Sequence, residues 1–291
     1  MIGFYSIKLR DWDCEKLFKW ASEKGFEAIE VATLPGCRHL PPEKVAKGDV
    51  GEIRRMAKEC GIAISGVAYL SQDYLSIDLE KRRRAIEQLK RVIDVCADLD
   101  VKTANTQVYP SIFERGRKET REKNLELMSE AFRPVVDYAK EHEVKIALEN
   151  WTETLMYNPP TWDMVFEAIP DKALGLNFDP SHLVWQQIDY LEVARKFSER
   201  IYHVHAKDTE IIRSRLAYMG VMESGPYLRD PPPTLWWRFR TPGWGEIDWR
   251  SLITVLREAG YDHVLSIEHE DPIFDIEEGL VKGLKYLSKL V

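Results

Sequence analysis

Four short apolar runs in this sequence each end in a side chain that can bind a divalent cation. The runs are residues 144–149, 174–179, 201–205 and 264–268, and they end at Glu149, Asp179, His205 and Glu268. Three carboxylates and one imidazole offer mostly oxygen ligands, which suit Mn²⁺, Mg²⁺ or Co²⁺ better than a thiolate-rich zinc cage would. If the four side chains meet in one place, they predict a single metal centre that acts on a small, oxygen-rich substrate.

The four ends meet only if the runs are neighbouring parallel strands, because the C-terminal ends of such strands lie at one face of a barrel. Eight β-like runs alternate with amphipathic helical segments along the whole chain. The predicted strands are residues 2–6, 28–32, 63–69, 101–105, 144–149, 174–179, 201–207 and 263–270. The clearest predicted helices are residues 14–24, 81–98, 118–141, 191–200 and 249–259. This alternation predicts a parallel sheet closed into a (β/α)8 TIM barrel.

A doubly wound open sheet is the alternative fold. It would normally carry a glycine-rich phosphate loop after its first strand, and here that strand runs into Ser6-Ile7-Lys8-Leu9. The 291 residues fit one barrel, so we expect a single domain over residues 1–291. Residues 208–248 contain no clear strand and are rich in proline, glycine and tryptophan. Because they follow the seventh strand, they predict a long lid or substrate-binding loop rather than a linker.

Composition narrows the class of protein. The net charge is −7, from 48 acidic and 41 basic residues, which argues against a nucleic-acid partner. The four cysteines are scattered, so neither a disulfide framework nor a thiolate metal site is favoured. The N-terminus lacks a signal-peptide pattern, and no apolar run reaches the length of a membrane span. We therefore expect a soluble, cytoplasmic protein with no membrane partner.

Further polar residues are predicted to line the same mouth of the barrel. Residues two apart share a face of a strand, so His203 and Lys207 point the same way as His205. Lys207 could reach the substrate or instead form an ion pair with Glu270 or Asp208. Asn105, Gln107 and Trp151 are candidate pocket residues. A single strand-end carboxylate is commonly a cap or a surface charge, so the metal prediction depends on the convergence of four.

Two arginines in the 208–248 segment leave a choice of substrate open. Arg238 and Arg240 lie beside Trp236 and Trp237, and arginine can clamp a carboxylate or a phosphate with two hydrogen bonds. We favour the alternative that they are surface residues of a loop.

The ordered set of motifs resembles a known family over essentially the whole chain. The motifs are Ala147-Leu148-Glu149-Asn150, Asn177-Phe178-Asp179-Pro180-Ser181-His182, His203-Val204-His205-Ala206-Lys207-Asp208, Pro242-Gly243-Trp244-Gly245-Glu246-Ile247-Asp248-Trp249 and Ser266-Ile267-Glu268-His269-Glu270-Asp271. Each motif is weak alone, but in this order they resemble the xylose-isomerase-like TIM-barrel sugar (phosphate) isomerases and epimerases.

The resemblance implies a set of roles. Glu149, Asp179, His205 and Glu268 would bind one divalent ion, with Mn²⁺ first and Mg²⁺, Co²⁺ or Zn²⁺ as alternatives. Glu149 and Glu268 would also exchange a proton with a carbohydrate through a metal-stabilised enediolate, which gives epimerisation or isomerisation. His182 would contact substrate oxygens, with Lys207, Asn105 and Trp151 as further substrate-binding residues. The family often forms homo-oligomers, so we expect one here.

Two other functions remain open on the sequence. A keto-sugar dehydratase of the inosose type would use the same metal and base but expel a hydroxide. A non-catalytic barrel that only binds a sugar is the third reading, and four intact ligand positions argue against it.

Overall fold

The computed structural model describes residues 1–112, 118–221 and 235–291 and contains ten strands in those ranges. They are β1 Ile2–Tyr5, β2 Ala28–Ala32, β3 Ala63–Ala68, β4 Thr103–Thr106, β5 Lys145–Glu149, β6 Leu174–Phe178, β7 Ile201–Ala206, β8 Asp208–Ile211, β9 Trp237–Arg240 and β10 Leu265–Ile267. β1 to β7 and β10 form a closed parallel barrel in chain order, with β10 hydrogen-bonded to both β7 and β1. The predicted TIM barrel is confirmed, and the open sheet is excluded.

Helices surround the barrel. They are α1 Cys14–Lys24, α2 Pro42–Ala46, α3 Gly51–Cys60, α4 Leu79–Asp98, α5 Lys118–Glu141, α6 Pro159–Ala168, α7 Ser181–Val184, α8 Tyr190–Lys196, α9 Arg213–Met219, α10 Trp249–Glu258 and α11 Ile276–Leu287. Local signals set their ends: Asp13 accepts a hydrogen bond from Lys16 at the start of α1, and Gly25 ends it at φ 88°. None of the helices in the described ranges is both long and apolar enough to cross a membrane.

Predicted and observed strand bounds agree within one residue for most of the barrel. β4 begins two residues later than the predicted 101–105, and the last strand differs most, since residues 263–270 were expected and only Leu265–Ile267 pair with the neighbouring strands. Glu268 therefore lies just beyond the ladder. On β5 the strand ends at Glu149 itself, whereas Asp179 lies one residue beyond β6 and His205 lies one residue before the end of β7.

The expectation that residues 208–248 contain no strand is wrong. β8 and β9 form an antiparallel pair outside the barrel, and α9 follows β8. These strands lack the apolar–polar alternation that would mark them in the sequence, because charged residues hold the pair together. Arg238 lies directly across from Glu210, and the two side chains form an ion pair at 2.7 Å. Residues 222–234 of the predicted lid lie outside the described residues.

The barrel strands approach one another too closely for a side chain at some positions. A Cβ atom on Gly175 of β6 would lie 2.3 Å from the carbonyl oxygen of Arg200. The absence of a side chain there lets β6 pack beside the start of β7. These two strands carry Asp179 and His205 at their far ends.

Candidate metal and substrate site

Four side chains meet at the C-terminal mouth of the barrel, as the sequence predicts. Each of Glu149, Asp179, His205 and Glu268 offers a ligand atom that lies within 4.8 Å of the other three, and all four are buried. We call these residues the ligand cluster. Four barrel strands are consecutive neighbours here, because β5 pairs with β6, β6 pairs with β7, and β7 pairs with β10. Neighbouring parallel strands thus bring together residues that are far apart in sequence.

Hydrogen bonds to its backbone and to Oδ1 hold Asp179 so that its other oxygen, Oδ2, faces the ligand cluster. The side chain of Asn150 donates to the Asp179 carbonyl and accepts from its backbone N–H, both at 2.7 Å. The Ser181 backbone N–H donates to Oδ1 at 2.8 Å. The other oxygen, Oδ2, is buried and accepts no well-aligned hydrogen bond among the described residues, although the ammonium of Lys207 lies 3.0 Å away. A carboxylate oxygen directed into a group of two further carboxylates and an imidazole fits a bound cation.

His205 presents its two ring nitrogens to different partners. Nδ1 lies 3.1 Å from Glu149 Oε1 and 3.4 Å from Glu268 Oε2, so it belongs to the ligand cluster. Nε2 points away from the cluster, to Glu30 Oε2 at 2.9 Å. Burial opposes protonation of the ring, but the charges of Glu30, Glu149 and Glu268 outweigh it and raise the pKa of His205 well above its usual value.

Lys207 is the cation nearest to the ligand cluster among the described residues. Its Nζ lies 3.0 Å from Asp179 Oδ2, donates to Glu268, and lies 3.2 Å from Glu270 Oε2. The ammonium also lies 4.5 Å from the centre of the Phe239 ring. Burial favours the neutral amine, but the surrounding carboxylates hold the pKa of Lys207 well above its usual value. The predicted pairing of Lys207 with Glu270 is present, and the lysine also lines the cavity.

The acidic members of the ligand cluster differ in their partners. Gln107 donates to Glu149 Oε2 and accepts from the Tyr109 hydroxyl at 2.9 Å, so a neutral amide holds this carboxylate. Glu268 has charged partners instead: burial raises its pKa, but Lys207 and His205 outweigh burial and hold that pKa well below the usual range. Burial raises the pKa of Asp179 to about 6, with Lys207 acting against the shift.

His182 reaches the cluster from the start of α7. Its Nε2 lies 3.4 Å from Asp179 Oδ2 and 3.3 Å from Lys207 Nζ. Burial, together with the charge of Lys207, lowers the pKa of His182 well below its usual value. A neutral imidazole can donate or accept a hydrogen bond at a substrate hydroxyl.

A cavity of about 1360 Å³ opens above the ligand cluster. Its lining includes the predicted residues Glu149, Glu268, His182, Lys207 and Trp151, together with Gln107. The walls carry aromatic rings that a sugar ring could pack against, among them Trp12, Trp237, Phe239 and Phe274. Asn105 is placed differently from the other predicted residues. It is buried in the barrel, where it donates to Glu30 at 2.7 Å, and it is not part of this lining.

Sequence reasoning overlooked Glu30 and Tyr5. Glu30 lies in the middle of β2 and is fully buried, and Tyr5 stacks on the ring of His205 at 5.4 Å between centroids. A signal for Glu30 was present, since a glutamate flanked by Ile29 and Val31 in a barrel strand has to be buried with partners. The partners themselves come from distant strands, so the sequence could not identify them.

Residues 18–290 of the chain match the protein family described as xylose isomerase-like TIM barrel. Among curated relatives, the uncharacterized protein YfiH of Bacillus subtilis is 34% identical over 50% of this chain and 47% of its own. An inosose dehydratase of Clostridium perfringens is 27% identical over 63% of this chain and 60% of its own. The chain thus spans about half to three fifths of the length of these relatives.

Solved structures show the same fold over the whole chain. The apo 3-keto-D-glucoside 4-epimerase YcjR of E. coli superposes with a TM-score of 0.74 at 14% identity, covering 99% of this chain and 98% of its own. The IolI protein with a bound zinc atom gives 0.74 at 18% identity, covering 100% and 97%. At these identities the two structures establish the architecture alone.

Proposed function

We propose that this chain, which belongs to the xylose isomerase-like TIM barrel family, is a metal-dependent epimerase or isomerase of a keto sugar. The observation that carries the proposal is that two buried glutamates which line the cavity, Glu149 and Glu268, meet Asp179 and His205 in the ligand cluster. Carboxylates placed together beside a substrate carbon can remove a proton and return it.

The ligand cluster would hold the divalent ion. Mn²⁺ is our first candidate because the donors are mostly carboxylate oxygens, and Zn²⁺ is the alternative because the similar IolI structure contains zinc. When bound, such an ion supplies Lewis acidity that makes a C–H next to a carbonyl easier to deprotonate. The chain's own residues supply everything else in the reaction.

The two glutamates would act as the base and the acid. Glu149 is oriented by Gln107, and Glu268 is oriented by Lys207, so each carboxylate has a fixed direction before substrate arrives. One glutamate removes the proton beside the carbonyl, which leaves an enediolate. Return of a proton to the opposite face gives epimerisation, and return to the neighbouring carbon gives isomerisation. His182 would hold a substrate hydroxyl during this exchange.

The charges around the cavity favour an uncharged sugar over a sugar acid or a sugar phosphate. The described residues that line it include eight acidic side chains and two lysines, and Lys8 and Lys207 both lie 3.2 Å from Glu270. Arg238 and Arg240, which could have clamped an anion, both pair with Glu210, at 2.7 and 2.6 Å. An anionic substrate would meet a predominantly negative surface.

A dehydratase is the second candidate, and Lys207 favours it. Loss of water from a keto sugar needs a proton donor for the departing hydroxide, and the buried ammonium of Lys207 contacts Glu268 in the site. Curated relatives named inosose dehydratase support the same reading. The carbohydrate substrate, the homo-oligomer, the cytoplasmic location and the single domain over residues 1–291 stay predictions.

The test is a screen of uncharged keto sugars in D₂O with the protein loaded with Mn²⁺ or Zn²⁺, followed by NMR. Deuterium at the carbon next to the carbonyl, with an epimer or isomer as product, supports the main proposal. An unsaturated or diketone product with loss of water supports the dehydratase. Glu149→Gln and Glu268→Gln should each slow exchange by about 100- to 10,000-fold.

The control is Glu246→Gln, which removes an exposed carboxylate that pairs with Arg213 at 2.9 Å and does not line the cavity. It should exchange at the wild-type rate. A protein that binds the sugars but gives neither exchange nor product would be a non-catalytic sugar-binding barrel, and the proposal would be wrong.

A further inference from the structure

We propose that Glu30 is a positioning residue of the metal centre, which holds the His205 ring so that Nδ1 faces the other three ligands. Nothing in the reaction proposed above uses this carboxylate. The inference depends on the proposed metal centre and not on which reaction the enzyme performs.

The position of Glu30 relative to His205 carries the inference. Glu30 lies in β2, which is separated from β7 by β1 and β10 around the barrel, and its side chain is 0% exposed. His205 Nε2 lies 2.9 Å from Glu30 Oε2, while Nδ1 lies 3.1 Å from Glu149 Oε1. One ring therefore connects a buried carboxylate in the barrel interior to the ligand cluster at the mouth.

The hydrogen bonds of Glu30 show that it acts as an acceptor. The Ser266 hydroxyl donates to Oε2 at 2.8 Å, and the Asn105 amide donates to Oε1 at 2.7 Å. Because both oxygens of Glu30 accept hydrogen bonds, the contact between Glu30 and His205 requires the ring proton to lie on Nε2.

The neighbouring amide of Asn177 fits the same arrangement in one orientation. Its two polar atoms lie 2.9 Å from His205 Nε2 and 3.0 Å from His203 Nδ1. The two ends of an amide have the same shape, so hydrogen bonding decides between them. With a proton on His205 Nε2, the amide oxygen faces His205 and the amide N–H donates to His203 Nδ1.

A second cation site is the rival explanation. Glu30, His203 and His205 each offer an atom within 4.8 Å of the other two, and all are buried. Each oxygen of Glu30 already accepts a hydrogen bond from a side chain on another strand. Two members of the ligand cluster, Glu149 and Glu268, line the cavity through which an ion would enter, whereas none of the three residues of the rival site belongs to its described lining. The three residues are therefore better described as support for one metal centre than as another.

The expected consequence is tighter metal binding. A carboxylate that accepts the outer N–H of a ligating histidine fixes its tautomer and ring orientation and makes the ligating nitrogen more basic. Removing such a partner typically weakens metal binding by about 10- to 100-fold. This loss of metal affinity should be measurable by metal titration alone, without any sugar.

Glu30→Gln is the primary test because it keeps the size of the side chain and removes the charge. Calorimetric titration of the metal-free protein with Zn²⁺ should give a dissociation constant about 10- to 100-fold weaker than that of the wild type. The matched control is Glu27→Gln, just before β2. Glu27 accepts the Ile2 backbone N–H at 2.7 Å, and this change should leave Zn²⁺ affinity unchanged.

A second variant and a spectrum keep the test decisive if Glu30→Gln does not fold. Glu30→Asp keeps the charge but shortens the side chain, and it should lose less affinity than Glu30→Gln. Long-range ¹H–¹⁵N spectra of the Zn²⁺-loaded wild type should show the His205 proton on Nε2. A proton on Nδ1, or unchanged affinity in a folded Glu30→Gln, would overturn the proposal.

These outcomes are separate from those of the sugar screen. If the wild type binds Zn²⁺ and Glu30→Gln binds it more weakly, the proposed role of Glu30 is supported even if no sugar reacts. Exchange of a sugar proton together with unchanged affinity in Glu30→Gln would support the reaction and reject the role of Glu30.

Discussion

Lys207 is enclosed by carboxylates, and its charge has to be counted in any account of stability. The Lys207 side chain is 2% exposed, and its ammonium contacts Asp179, Glu268 and Glu270. Removing one partner from a buried charge group leaves the others uncompensated, which typically costs about 3–5 kcal/mol. We therefore expect Lys207→Met to lower the free energy of unfolding by about this amount in EDTA, as measured by urea denaturation.

Added metal should reduce that loss, because a divalent ion in the ligand cluster supplies positive charge to the same carboxylates. The control is Lys8→Met, which removes a 40%-exposed lysine that pairs with Glu270 at 3.2 Å. It should cost less than about 1 kcal/mol, with or without metal. If Lys207→Met loses the same free energy of unfolding in EDTA and with added metal, Lys207 and the ion do not compensate the same carboxylates.

At the scale of single residues, the sequence predicts side chains that end strands better than those that lie within them. The ligand cluster could be predicted because each member follows an apolar run, and the ends of parallel strands coincide. The contacts of Glu30 with Asn105 and His205 could not be predicted, because which strands face each other across the barrel depends on closure. Alternation predicted the direction of the Lys207 side chain, and its pairing with Glu270 was expected, but its contacts with Asp179 and Glu268 were not foreseen.

Among the elements, β6 and β7 depend on a glycine. We expect Gly175→Ala to lower the free energy of unfolding by about 1–3 kcal/mol, because the new Cβ would lie 2.3 Å from a backbone oxygen that cannot move freely. Metal affinity should fall as well, since these strands position Asp179 and His205. Urea denaturation and Zn²⁺ titration of the same preparation would measure both effects.

Gly51→Ala is the matched control for this change. Gly51 begins α3, and nothing lies within 4 Å of a Cβ built there. An alanine at this helical position should be neutral or stabilise the fold by about 0.5–1 kcal/mol. A loss of stability that is the same for both variants would show that the close approach at Gly175 is not the cause.

The elements themselves were largely predictable, and the exception is instructive. Strands of the barrel are apolar runs between helices, which periodicity detects. The β8–β9 pair is held by ion pairs between the strands, with Glu210 between Arg238 and Arg240. In the sequence alone, such charged segments look like a polar loop. Pairing between segments that are separated by more than 20 residues is a tertiary property, so the sequence could not reveal it.

Over the whole molecule, buried histidines should make the protein sensitive to mild acid. Burial lowers the pKa of five histidines among the described residues: His39, His182, His203, His263 and His269. Between the folded and unfolded pKa values the unfolded chain binds more protons, so these groups stabilise the fold at neutral pH and that contribution is lost as pH falls. His205 and Asp179 have raised pKa values and act in the opposite sense.

We therefore expect the free energy of unfolding to decrease from pH 7.5 to pH 5.5, as measured by urea denaturation without metal. His39 offers a test away from the ligand cluster, because its ring contacts the Ser6 hydroxyl at 3.0 Å and the Trp12 carbonyl at 3.2 Å. The variant His39→Gln should show a shallower decrease with pH than the wild type. If the free energy of unfolding falls equally with pH in the variant and the wild type, His39 does not contribute to the acid sensitivity.

The place of β10 between β7 and β1 has a consequence for biosynthesis. Glu268 is the last of the four cation-binding side chains to leave the ribosome, and the strand that carries it is also the one that seals the cylinder. A nascent chain that stops before β10 carries only three of the four side chains. If the ligand cluster binds a metal as proposed, its full set of ligands would therefore exist only after β10 has been synthesised and has closed the barrel.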